Sequence, residues 1–570
     1  MKRIHALLLI IFALFFVTTS CSDKNDPIDD SNKGTLIRAT FNPSSEVFTL
    51  FYSKGATETV KATIDKTVTP PTATATLKDG TVISVKDATK EGIATIGPIP
   101  PTVDENKYVN DWIFEEMNIY YLWNNKIPKS PDFSMKPDKF FNSLLYTYNK
   151  NSNPEGDRFS WIQENYVDLL NDLSGVSSDE IGFEYFFARV SDDQYYAMVT
   201  YPKKGSDAYA KGIKRGRYII AVDGKDINSS NYRSIFSGSG SKTLSMADFV
   251  LNTAENKYQL KATGDVTIQM EKNFAETPVY MDSVYTIDNK KIGYLVYNFF
   301  ATDKGDDTHS YDRLLMNTLS SIKSKGATEL VLDLRYNGGG RVSTALALAS
   351  ALVKDRSTNN ILVTSEYNDI VHAAYKKEYG ADYNKDYFVD KVQGTSIAVP
   401  ALNLPRLYVL VTGGSASASE LIINGLKPYM DVILIGETTY GKNVGSISLY
   451  EKDDKKNKWG MQPIVVKYAN SRGESDFTAG FKPDFEVNEF TALGNRFVDF
   501  GNTEDPLLNK AIEQITGSVH TRSAWKKQIA TFPKMIEVEG SNSIFNDKSR
   551  FEMYDDVRGE TIKELMKERN

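Results

Sequence analysis

The spacing of apolar residues changes character several times along the 570-residue chain, and each change marks a boundary. Lys2 and Arg3 precede an unbroken apolar run from Ala6 to Val17. Its 12 residues are too few to span a bilayer and read as the core of a secretory signal over residues 1–20. A polar, Asp-containing stretch over 21–34 follows as a tether. Residues 35–101 carry β-type runs such as Val47-Phe48-Thr49-Leu50-Phe51-Tyr52, broken by Asn-Pro, Lys-Gly and Asp-Gly turns, which predicts a small β module. Gly97-Pro98-Ile99-Pro100-Pro101 closes it as a stiff linker.

Over 102–176 the period becomes helical. Trp112, Ile113, Met117, Tyr120, Phe140, Phe141, Leu144 and Leu145 predict a small helical domain. Residues 177–275 read as a mixed β-rich unit, with a short helix closed by Gly212 and a strand Ile219–Val222 ending in the Asp223-Gly224 turn. From 276 to 517 buried strands alternate with helices, among them Ile292–Phe300, Leu330–Leu334, Leu407–Thr412 and Val432–Ile435. This is the signature of an α/β sheet with parallel pairs, leaving 518–570 as a tail. The expected fold is therefore multidomain α+β around an α/β core.

Composition narrows the function without naming it. Hydrophobic residues at 41% and charged residues at 25% place the bulk of the chain among soluble globular proteins. A net charge of −7 with no Lys/Arg block argues against a nucleic-acid surface. The four His and single Cys are scattered, so neither a metal cluster nor a cofactor is expected. Cys21, being the only cysteine, cannot form an internal disulfide. Thr18-Thr19-Ser20-Cys21 resembles a bacterial lipobox, with Thr18 in place of the usual Leu. The resemblance implies lipidation at Cys21 and an exported chain anchored to a membrane of the cell envelope, on its periplasmic or outer-surface side.

Three segments of the α/β region carry candidate chemistry. In Leu332-Asp333-Leu334-Arg335-Tyr336-Asn337-Gly338-Gly339-Gly340 a strand runs into three glycines that can open N–H groups to an oxyanion, or simply make a tight turn. In Thr412-Gly413-Gly414-Ser415-Ala416-Ser417-Ala418-Ser419-Glu420 a small-residue turn puts serines at a helix N-terminus, suited to a nucleophile and equally to helix capping. In Gly436-Glu437-Thr438-Thr439-Tyr440-Gly441-Lys442-Asn443 a Lys follows a buried strand, where burial would depress its pKa and make it a base.

Together these segments resemble the C-terminal processing peptidases, or tail-specific proteases, a family of Ser/Lys serine peptidases. Its Gly-Ser-Ala-Ser-Ala-Ser-Glu and Gly-Glu-x-Thr-x-Gly-Lys runs map onto Ser417 and Lys442. Asp157-Arg158-Phe159-Ser160, Gly480-Phe481-Lys482-Pro483-Asp484 and Asp505-Pro506-Leu507-Leu508 extend the likeness over Val109–Gly517. The resemblance implies a ClpP/crotonase-like core, Ser417 as nucleophile, Lys442 as general base, and Gly339 and Ala418 as oxyanion donors. Ser446, standing where the family often has a Gln, becomes the possible third member. The β-rich unit resembles a bacterial protease-type PDZ domain, which implies that Gly182, Phe183, Glu184 and Tyr185 bind the C-terminus of a protein or peptide substrate. Two rival readings differ in class. His309 and His372 offer a Ser/His pair, and a catalytically inactive PDZ-containing lipoprotein would bind peptides without cleaving them.

Overall fold

A computed structural model describes residues 34–78, 81–97, 105–494, 496–518, 535–555 and 564. The signal, Cys21 and the prolines of the 97–101 linker lie outside the described residues. The chain forms two units, divided after Asp104.

In the first unit seven short strands between Leu36 and Gly97 pair antiparallel. Inward positions alternate with outward ones, so that Ala39, Phe41, Phe48, Leu50, Ala73 and Ile83 share one buried face. The strands Thr57–Lys61 and Thr63–Asp65 are neighbours in sequence yet stand at opposite ends of the sheet order, so the sheet folds over at Ala62 and encloses that face. The expected β module is present.

The second unit is built on a six-stranded sheet in the order Val279–Ile287, Lys290–Tyr297, Glu329–Asp333, Arg406–Val411, Asp431–Gly436 and Phe485–Glu486. The first pair is antiparallel and the rest are parallel. Its strands are apolar on both faces because both are covered. Leu295, Leu330, Leu332, Val409 and Val411 face a core shared with the helices Val342–Leu352 and Ala418–Leu426. Ile292, Tyr294, Val331, Tyr408 and Leu410 face the helix Pro506–Thr516 through Leu507, Leu508 and Ile512. The helices Glu105–Tyr120 and Pro137–Leu144 add Ile113, Met117, Tyr121, Phe140 and Leu144 to the first of these cores, so the helical N-terminal segment packs as part of it.

Between these lies the β-rich unit, a sheet in which Phe183–Ser191, Gln194–Pro202, Tyr218–Val222, Ser241–Asn252 and Lys257–Gln269 follow one another. Within the expected C-terminal tail, residues 535–555 are described. Residues 535–555 return to the body, burying Met535, Ile544, Phe551, Met553 and Tyr554. Met553–Tyr554 forms a strand between Gly340–Arg341 and Val444–Ser446. Apolar side chains that a solvated tail would expose supply the driving force.

A buried ionic cluster anchors the turn after the strand Glu329–Asp333. Arg335, 1% exposed, bonds Asp333 (2.7 Å), Asp505 (2.8 Å) and Glu489. Asp505 also caps the helix Pro506–Thr516, and Arg215 of the β-rich unit reaches the same Glu489. Burial works to raise the Asp505 carboxyl, and the Arg335 guanidinium outweighs it and holds the group below its ordinary value. Thus Asp333 and Arg335 are the centre of a larger cluster. Replacing Arg335 by Met leaves three buried carboxylates without their shared cation, and is expected to cost about 3–5 kcal/mol, read as a lowered denaturation midpoint. A midpoint unchanged from the parent chain would show the cluster to be energetically neutral.

Candidate active site

Strand Arg406–Val411 ends in a turn that delivers Ser417 to the N-terminus of the helix Ala418–Leu426. The neighbouring hydroxyls and backbone fasten this turn to the glycine-rich one. Ser415 Oγ donates to the Leu334 carbonyl (2.7 Å), Ser419 Oγ to the Asn337 carbonyl (2.9 Å), and Ala416 N–H also to Asn337 (3.1 Å). Ser415 and Ser419 are therefore structural. Ser417 is different: it sits at φ 61°, ψ −115°, a region that costs a non-glycine residue on the order of 1–3 kcal/mol. Among the described residues its buried Oγ makes no hydrogen bond. A hydroxyl held in a strained turn and left unpaired has the form of a nucleophile rather than a cap.

Glu420 ties this turn to the loop carrying Lys442. One carboxylate oxygen accepts from Ser417 N–H (2.9 Å) and Lys442 N–H (2.8 Å). The other accepts from Thr439 Oγ1 (2.5 Å) and Gly441 N–H (2.7 Å). Burial pushes this carboxyl up to about 7, against four donors that favour the ionised form. Its Ser-x-x-Glu spacing is the capping-box signature, so the sequence held the signal that the site-residue reading missed.

Lys442 is 1% exposed, with Nζ 5.0 Å from the centre of the Phe159 ring. Burial lowers its pKa, and Glu552 opposes that effect. Nζ bonds Glu552 Oε2 at 3.1 Å. The same carboxylate accepts from Ser446 Oγ (2.6 Å) and Trp161 Nε1 (2.8 Å). Ser446 thus reaches Lys442 through Glu552, a residue that nothing in the local sequence marks. Asp157-Arg158-Phe159-Ser160 forms a wall of the site. Arg158 donates to the Gly441 carbonyl (2.7 Å), and Ser160 Oγ accepts from Ile464 N–H (2.8 Å).

Of the two expected oxyanion donors, Ala418 opens the helix behind Ser417, and Gly339 lies against Ser417. A Cβ built on Gly339, where φ is +126°, would sit 2.6 Å from Ser417 Cβ. Its N–H, however, donates to Asn337 Oδ1 at 3.0 Å rather than standing open, because Asn337 caps its own turn. The loop at Gly182 also departs from expectation. Gly182 N–H is taken by Glu180 (2.8 Å), Phe183 is core, and Glu184 pairs with Lys203 (2.9 Å) and Arg550 (3.1 Å). Tyr185 N–H donates to Ser543 Oγ (2.8 Å). Glu180 lies in the place foreseen for an incoming carboxylate, held there by Lys203. His309 and His372 are engaged with Asp312 and Tyr383.

Residues 108–161 match the peptidase S41 N-terminal domain, and residues 291–487 match peptidase family S41. The "Carboxy-terminal processing protease CtpA" of Bacillus subtilis is 26% identical over 57% of this chain and 61% of its own. The "Probable CtpA-like serine protease" of Staphylococcus aureus is 26% identical over 55% of this chain and 54% of its own, so the chain spans about half the length of such curated relatives. The solved "Putative S41 protease from Bacteroides fragilis NCTC 9343" is 28% identical, with a TM-score of 0.60 over 71% of this chain and 97% of that one. Over 108–161 and 291–487, then, the chain is similar to the peptidases of family S41.

Proposed function

We propose that this chain is a serine endopeptidase that hydrolyses exported or unfolded proteins through Ser417 and Lys442. The observation that carries the reading is the Glu420 carboxylate, which holds the backbone of both residues at once. Neutral Lys442 takes the proton of Ser417 Oγ as that oxygen attacks a peptide carbonyl. The tetrahedral oxyanion is held by Ala418 N–H, and by Gly339 N–H once it exchanges its bond to Asn337. Collapse expels the amine, protonated by Lys442, and water then hydrolyses the acyl-enzyme with Lys442 again as base. Asn337, Glu420, Phe159 and Arg158 position this machinery without touching the reacting bond.

The finer parts of the proposal are a ClpP/crotonase-like core, a PDZ-like unit that presents the edge of Phe183–Ser191 to substrate, and a lipid anchor at Cys21 in the cell envelope. The alternative of an inactive peptide-binding lipoprotein keeps the β-rich unit and discards the chemistry. The strained Ser417 and the buried Lys442 are costly features that such a protein would have no reason to retain.

Ser417→Ala and Lys442→Ala are each expected to lower kcat/KM on a denatured protein substrate by on the order of a thousandfold or more while circular dichroism stays unchanged. Cleavage by Ser417→Ala at the parent rate would remove the assignment. Because burial pushes Lys442 below its ordinary 10.5 and only the neutral amine accepts a proton, kcat/KM should rise with pH along a limb centred below 10.5. A limb at or above that value would place the base elsewhere. Cys21→Ser should shift the protein from the membrane fraction to the soluble one and abolish incorporation of labelled fatty acid; retention in the membrane would refute the anchor.

A further inference from the structure

The path a substrate would have to take is already filled by the chain itself. Ile536–Glu537 pairs antiparallel with Ala188 and Arg189 on the outer edge of Phe183–Ser191. Val538 N–H donates to the Phe187 carbonyl (2.8 Å), Ser541 Oγ accepts from Phe187 N–H (3.0 Å), and Ser543 Oγ accepts from Tyr185 N–H (2.8 Å). The segment therefore runs along this edge toward Gly182, in the manner of a peptide adding a strand to a sheet. It then crosses the glycine-rich turn. A Cβ on Gly338 would lie 2.0 Å from the Arg550 carbonyl oxygen, and one on Gly339 would lie 2.5 Å from that of Glu552. Only glycine leaves room for a second backbone there. Finally Met553–Tyr554 fills a slot one strand wide between the segments that follow the glycine turn and Lys442.

We propose that residues 535–555 are an intramolecular occupant of the substrate path, seated from the edge of Phe183–Ser191 to Ser417 and Lys442, and that the peptidase rests shut until they leave. The proposal rests on the peptidase reading above. Charge complementarity supports it at two points. Lys203 alone faces Glu180 (2.7 Å), Glu184 (2.9 Å) and Glu276 (3.7 Å), and Arg550 of the segment adds the second cation, 3.1 Å from Glu184 and 2.5 Å from Glu276. At the other end Glu552 pairs with Lys442, a contact that favours the charged amine against the effect of burial and engages its Nζ, while Ser417 Oγ has no hydrogen bond among the described residues. With the segment seated, Ser417 is 0% and Lys442 1% exposed. A cavity of about 640 Å³ lined by Gly413, Thr438 and Phe186 is also lined by Asn542 and Phe545 of the same segment. A substrate carbonyl cannot reach a buried serine, and an amine held by Glu552 is not free to take the serine's proton.

The test uses the full chain with a site for a sequence-specific protease placed within residues 524–530. Cutting there turns a tethered occupant, at an effective concentration on the order of millimolar, into a free peptide at the nanomolar enzyme concentration of the assay. Cleavage of a denatured labelled protein should rise by at least about tenfold after the cut, and synthetic peptide 535–555 should reverse the rise competitively. In the uncut chain, Met553→Asp and Glu552→Gln should each raise activity. Glu552→Gln should also move the ascending limb of the pH profile to lower pH, since the negative charge that favours protonated Lys442 is gone. A cut, folded chain whose activity falls and is restored by the peptide would overturn the proposal and make Glu552 a positioning residue for Lys442. Absence of cleavage before and after the cut would defeat the peptidase reading instead. Occupancy is then read by fluorescence anisotropy of labelled 535–555 on the cut Ser417→Ala chain, where binding upholds the path and its absence overturns it.

Discussion

The site depends on one buried carboxylate. Glu420 accepts hydrogen bonds from the N–H groups of Ser417, Gly441 and Lys442 and from the Thr439 hydroxyl, so two loops separated by a helix and a strand share a single anchor. Each of these bonds favours the ionised carboxylate, and removing the acceptor would leave several buried donors unpaired. The strain at Ser417 persists because these bonds, together with those of Ser415 and Ser419, over-determine the turn. Among the described residues the Ser417 hydroxyl is left without a hydrogen bond in this turn, while those of Ser415 and Ser419 are bonded.

Charge burial is the second theme of this fold. Arg335 with Asp333, Glu489 and Asp505 is buried, and Lys203 and Arg550 with Glu180, Glu184 and Glu276 are largely so. Such clusters add little net stability compared with apolar packing, yet breaking one partner is costly, so they define which segments must be present together. The first binds the glycine turn to the last helix of the core and to the β-rich unit. The second binds the β-rich unit to residues 535–555. Through these contacts the geometry around Ser417 is linked to elements far from it in sequence.

The relation between the body of the second unit and its C-terminal segment follows from the same chemistry. The glycines that would admit a substrate backbone admit this one, and the lysine that would accept a proton meets a carboxylate first. On the proposed reading, a site that receives an extended peptide is open to any extended peptide of matching charge, and a tethered one has the advantage of concentration.

Local pattern was enough to reveal the β module, the helical segment, the alternating strands and helices of the core, and the order Gly339, Ser417, Lys442. Periodicity and small-residue turns are properties of neighbouring residues. Ser-x-x-Glu was equally legible, although its carboxylate reaches across to a second loop that no spacing rule connects to it. What only the tertiary structure decided is the long-range pairing. Glu552 lies 110 residues beyond Lys442, and Arg550 lies 274 beyond Glu276. Their segment has too few apolar residues in regular spacing to announce a core strand. It becomes one because the cleft supplies the missing partners: backbone edges on both sides, glycines underneath, and opposite charges at each end.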